Sequence, residues 1–105
     1  KYSFSCWGCE RFVTEFKQLH PSNVLIAGIE THVCVYQTAR DLMDAHYSVE
    51  IIADAVSSRT IENKQIGLDK IRDVGAKITS AETALFELLG EAQGENFKAI
   101  LKIVK

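Results

Sequence analysis

Hydrophobic positions along this chain recur with two periods, and the change from one to the other marks its elements. Cys9, Phe12, Val13, Phe16 and Leu19 fall at helical spacing, with Glu10, Arg11, Glu15 and Lys17 off the stripe. That predicts an amphipathic helix over 9–19, interrupted at Pro21-Ser22. Residues 24–27 (VLIA) form a short unbroken apolar run, the pattern of a strand buried on both faces. Thr31 is placed to cap the next helix, with Cys34 at its third position and Val35, Ala39, Leu42 and Met43 as its buried stripe. A second buried strand is predicted over 49–53, closed by Asp54, which the pattern assigns to capping the following turn. The polar turn Ser57-Ser58-Arg59-Thr60 leads into a helix that ends at Val74-Gly75, and residues 77–79 make a short third strand. Thr79 and Glu82 have capping-box spacing for a helix carrying Ala81, Leu85, Leu88 and Leu89 and stopped by Gly90. From Gly94 a last helix sets Phe97, Ile100, Leu101 and Val104 against Lys98, Lys102 and Lys105.

Strands alternating with helices predict an α/β fold with a parallel sheet. Three strands are few for a sheet that needs cover on both faces. The pattern therefore reads as the C-terminal half of one Rossmann-like, three-layer α/β/α domain, with residues 1–105 belonging to that single domain and its N-terminal strands preceding Lys1. Alone, these residues would expose the edge of the 24–27 strand and fold poorly.

Composition narrows the function without naming it. The chain has 105 residues, 47 % hydrophobic, 25 % charged, with a net charge of −2. Neither nucleic acid nor an anionic membrane is an expected partner at that charge. No apolar run approaches the roughly 20 residues that span a bilayer. Three cysteines and no secretory signal point to free thiols in the cytoplasm.

The chemistry gathers at Cys34. A thiol in the first turn of a helix lies near unpaired backbone N–H groups and the positive end of the helix dipole, and both favour the thiolate. The same N–H groups can receive the oxyanion of a tetrahedral intermediate. In open α/β sheets ligands bind beyond the carboxyl ends of the strands, where Cys34 falls. His32 is too close in sequence to turn toward Cys34 as its base.

Gly28-Ile29-Glu30-Thr31-His32-Val33-Cys34, with Gln37-Thr38-Ala39, resembles the signature of the isochorismatase-like cysteine hydrolases, nearest to a branch with the GxETHVC motif and no assigned substrate. The likeness continues through residues 49–54, Ala55, Ser57-Ser58-Arg59 and Gly75-Ala76, and takes in the opening Lys1-Tyr2-Ser3-Phe4-Ser5. It implies Cys34 as nucleophile and Lys1 as catalytic lysine, with an aspartate base upstream of Lys1. It also implies a cis peptide between Ile29 and Glu30 that turns the N–H groups of Glu30 and Cys34 inward as an oxyanion hole. Phe4, Trp7 and Thr31 are candidate pocket-lining residues. The implied reaction is hydrolysis of a small amide or related C–N bond through a thioester on Cys34, by a homo-oligomer (a dimer or larger) acting on a small-molecule substrate; no cofactor is expected, and these residues define no metal site.

Two other readings compete. Cys6-Trp7-Gly8-Cys9 is a C-x-x-C, the spacing of thiol–disulfide exchange centres. A catalytically incomplete relative would keep the fold for binding or assembly.

Overall fold

The structure is a computed structural model that describes residues 2–104. Three parallel strands, β1 (Asn23–Ile29), β2 (Ser48–Ser57) and β3 (Lys77–Thr79), lie in the order β1-β2-β3. Between and around them run α1 (Glu10–Gln18), α2 (Tyr36–Asp44), α3 (Ile61–Asp73), α4 (Ala81–Leu89) and α5 (Glu95–Val104). A 3-10 turn, Cys6–Gly8, precedes α1, and one wide π-type turn, Thr31–Val35, joins β1 to α2.

The core sits on one face of the sheet. Val49, Ile51 and Val56 of β2 bury their side chains against Val35, Ala39 and Leu42 from the turn and α2, and Leu68 and Ile71 from α3. Trp7, Phe16 and Tyr47 close the margin of this core with edge-to-face ring contacts, Trp7–Phe16 at 5.8 Å and Phe16–Tyr47 at 5.1 Å. Cover on the opposite face comes from α4, which faces Leu25 and Glu50 through Ala84 and Leu88 across a gap of about 180 Å³. Phe97 of α5 approaches Phe86 of α4.

Four local expectations are corrected. The second strand does not close at Asp54 but runs on to Ser57, because Val56 and Ser57 pair with Gly28 and Ile29 of β1. The first strand, predicted as buried on both faces, alternates: Val24 and Ile26 are half-buried, whereas Leu25 and Ile29 are exposed. Pairing on only one side and thin cover on one face account for this. Thr31 does not cap a helix; its hydroxyl donates to the Ser57 carbonyl instead, 3.0 Å away. The cap of α4 is Ser80, whose Oγ accepts the Thr83 N–H at 3.0 Å. Thr79 is held in β3 opposite Ile52 and is not free to cap. The other boundaries follow local chemistry: Thr60 caps α3 by accepting from the Asn63 N–H, and Gly75 and Gly90 take φ of 96° and 78° just past helix ends.

One irregularity positions the site. β1 and β2 are in register from Asn23–Ser48 to Ile26–Ile51, and again at Gly28–Val56 and Ile29–Ser57. β2 thus carries three more residues than β1 between those pairs, and the two strands still end side by side. The residues after Ile29 and after Ser57 consequently lie against each other at the carboxyl edge of the sheet.

Candidate active site

Cys34 lies in the Thr31–Val35 turn, immediately beyond the carboxyl end of β1. The peptide bond between Ile29 and Glu30 is cis. Past it the Glu30 carbonyl accepts the N–H of Val33 at 3.2 Å and of Val35 at 3.1 Å. Cys34 stands between these donors, and its own N–H is not bonded to that carbonyl. The thiol is partly exposed, free of any disulfide, and sits on the wall of a cleft of about 120 Å³. Ile26, Ala27, Ile29, Val35, Cys6 and Thr38 form the rest of the lining.

The turn is fixed in three places to the loop after β2. Thr31, fully buried, donates to the Ser57 carbonyl. His32 Nδ1 lies 2.9 Å from Ser58 Oγ. Glu30 Oε1 accepts from the Arg59 N–H at 3.0 Å and meets Arg59 Nε at 3.2 Å. From the other side α3 presses Gly67 against the backbone of the turn; a Cβ at Gly67 would come within 2.8 Å of His32 N and Cα. A second anchor reaches the cleft from the N-terminal side, where the Cys6 N–H donates to Thr38 Oγ1 at 3.0 Å.

Of the residues read from the sequence, the structure sets Cys34 and Glu30 on one turn at the sheet edge. Lys1 lies outside the described residues. Thr31 is packed away beneath the turn, and Trp7 belongs to the aromatic cluster with Phe16 and Tyr47. Phe4 is 57 % exposed, and the cleft is lined by neither it, Trp7 nor Thr31. Asp54 accepts the Ala81 N–H at 2.9 Å and so braces the start of α4. His32 is engaged with Ser58 rather than with the thiol. Sequence reasoning passed over Thr38 and the lining role of Cys6. Thr38 is four residues beyond Cys34, and helical periodicity alone places it on the same side. The hydrogen bond that brings Cys6 there spans 32 positions and leaves no local signal. Among the described residues no group of three or more His, Cys, Asp or Glu is arranged to hold a metal. No helix among them is long and apolar enough to cross a membrane.

A parallel α/β sheet with a thiol on the turn beyond its carboxyl edge is the class that the fold and the site define. Residues 1–83 match the isochorismatase domain model, and the chain belongs to the isochorismatase family. A secreted isochorismatase effector of Phytophthora sojae is 51 % identical over 83 residues, 79 % of this chain and 40 % of its own length. A structure described as the MAR1 ribonuclease of Caenorhabditis elegans superposes with a TM-score of 0.85 at 34 % identity, covering 99 % of this chain and 53 % of that one. A pyrazinamidase/nicotinamidase of Streptococcus mutans superposes with a TM-score of 0.69 at 28 % identity over 75 % of this chain and 44 % of its own. The chain spans about half the length, or less, of these relatives.

Proposed function

We propose that this chain supplies the nucleophile of a cysteine hydrolase that cleaves a small amide or related C–N bond. The observation that carries the reading is the placement of the Cys34 thiol: on a cleft wall, at the carboxyl edge of the sheet, on a turn fixed from both sides. Its likeness to the nicotinamidase of Streptococcus mutans, a protein whose name specifies an amide, favours C–N over other substrates.

In this mechanism the Cys34 thiolate attacks the carbonyl carbon, and the oxyanion that forms is received by the backbone N–H groups of Glu30 and Cys34. The tetrahedral intermediate collapses with loss of the amine or ammonia, which takes a proton as it leaves. Water then attacks the thioester, releasing the acid and regenerating the thiol. Lys1 holds the developing negative charge, and an aspartate of the family's active site moves the proton. The turn contributes rigidity. Its backbone is already in position before substrate arrives, so little reorganisation is needed at the moment of attack.

The same reading makes the protein a cytoplasmic homo-oligomer acting on a small molecule. Three free thiols agree with a reducing compartment, although the Phytophthora relative is described as secreted. The test is a panel of small carboxamides offered to the full-length protein and to Cys34→Ala. Ammonia release should fall by about 10³-fold or more in the variant, and rapid quenching should trap an acyl adduct on Cys34. Hydrolysis that survives Cys34→Ala at the wild-type rate overturns the proposal, and a wild type that releases no ammonia from any member of the panel overturns it in favour of binding or assembly.

A further inference from the structure

A second cysteine lines the cleft. Cys6 and Cys34 are 28 positions apart in sequence, yet both line the same space of about 120 Å³. Both are partly exposed, and neither is in a disulfide. Cys6 is held there by its backbone: its N–H donates to Thr38 Oγ1 at 3.0 Å. Thr38 lies one helical turn beyond Cys34, on the same side of the chain as it passes from the wide turn into α2. The C-x-x-C partner, Cys9, is oriented differently. Its N–H closes the 3-10 turn onto the Cys6 carbonyl at 3.1 Å, it opens α1, and it does not line the cleft.

From this juxtaposition we infer that Cys6 is a resolving thiol for Cys34, so that hydrogen peroxide converts the pair into a reversible Cys6–Cys34 disulfide that closes the active site. The inference rests on Cys34 being the reactive nucleophile, since thiolate character and access decide which cysteine peroxide oxidises first. In the first step the Cys34 thiolate attacks one peroxide oxygen. An S–O bond forms as the O–O bond breaks, hydroxide leaves and is protonated to water, and Cys34 becomes a sulfenic acid. In the second step the Cys6 sulfur attacks the sulfur of that sulfenic acid. The S–S bond forms, the S–O bond breaks, and the departing hydroxide takes the proton given up by Cys6. Two thiols and one hydrogen peroxide thus give one disulfide and two waters. A thiol reductant reverses it. Without a resolving partner, a sulfenic acid in an open cleft continues to sulfinic acid, which such a reductant does not recover. The consequence is protection: oxidation stops at a stage from which the hydrolase returns.

The experiment uses the full-length reduced protein and its Cys6→Ser variant, treated with hydrogen peroxide, quenched with a maleimide in denaturant and mapped by peptide mass. The wild type is expected to yield a Cys6–Cys34 linked peptide with the loss of two hydrogens, and dithiothreitol should restore the iodoacetamide-reactive Cys34 almost fully. Cys6→Ser should instead gain two oxygens on Cys34, with recovery lower by about tenfold. A Cys6–Cys9 linkage, or sulfinic Cys34 beside reduced Cys6 in the wild type, overturns the proposal while leaving Cys34 as the nucleophile. A Cys34 that peroxide does not oxidise at all overturns it as well. Ammonia release from the untreated wild type, measured on the same batch, then shows whether the hydrolase reading has failed with it.

Discussion

Thr31 shows how much of the site depends on one hydroxyl. The residue is fully buried, and its hydroxyl donates to the Ser57 carbonyl at the end of β2. Replacing Thr31 with valine keeps the shape and removes the donor. The bond is only partly buried and Ser57 is exposed, so its loss costs about 0.5–1.5 kcal/mol. Thr31→Val is therefore expected to lower stability by that amount in urea unfolding, and to loosen the turn enough to change the rate at which iodoacetamide modifies Cys34. Thr60 offers the comparison. Its hydroxyl caps α3 at an exposed position, so Thr60→Ala should cost about 1 kcal/mol and leave the Cys34 alkylation rate unchanged. If both substitutions alter the alkylation rate equally, the Thr31 bond has no special hold on the turn. From the sequence, Thr31 reads as a helix cap because a threonine before an apolar stripe has that appearance. Its real partner is 26 positions away, and no local pattern encodes it.

At the scale of elements, the glycine in the middle of α3 does for the turn what the hydroxyl does at its base. Gly67 is buried against the backbone of Thr31 and His32, and an added Cβ would meet three backbone atoms at 2.8 Å. Two effects of Gly67→Ala oppose each other. Alanine favours the helix by roughly 0.5–1 kcal/mol over glycine. Overpacking against atoms that cannot rotate away costs about 1–3 kcal/mol. The second wins, because the neighbours are main chain rather than flexible side chains. Gly67→Ala should therefore lower the midpoint of thermal unfolding and shift α3 away from the turn, with a changed Cys34 alkylation rate as the local readout. An unchanged or raised midpoint would show that the helix moves at no cost. The elements themselves were largely legible, because their signals are local: the apolar stripe of α1, the glycines after α3 and α4, and the three β-type runs. What was not legible follows from contacts. The wide turn Thr31–Val35, the three additional residues in β2 and the shift of the α4 cap from Thr79 to Ser80 all depend on strand pairing. The candidate nucleophile was legible for another reason, since seven consecutive residues, 28–34, resemble the signature of a hydrolase family. Its neighbours in the cleft, Cys6 and Thr38, come together only in three dimensions.

At the scale of the molecule, the sheet is finished on one side and open on the other. The core of Val49, Ile51, Leu42 and Ile71 lies between β2 and the helices of one face. On the other face Leu25 and Ile29 of β1 are 43 % and 71 % exposed, and Leu88 of α4 is 80 % exposed. Among the described residues β1 has a hydrogen-bonded neighbour on one side only. The radius of gyration is 15.1 Å, against about 13 Å for a compact domain of this length. Each of these measures describes a half-covered sheet, in a chain that spans about half the length of its relatives. An unpaired edge and apolar area left in water both weaken a fold of this size. Residues 1–105 expressed on their own should consequently bind a hydrophobic dye such as ANS, self-associate at micromolar concentration in light scattering, and lose their circular-dichroism signal over a broad temperature range. A form of the protein in which further strands cover that edge should bind little dye and unfold in a narrow transition. A sharp transition from residues 1–105 as a dye-free monomer would mean that the face of α2 and α3 alone carries the fold. The Cys34 turn, held by α3 and the end of β2, would then be stable without further cover, and Cys34 in residues 1–105 should show a single, well-defined alkylation rate.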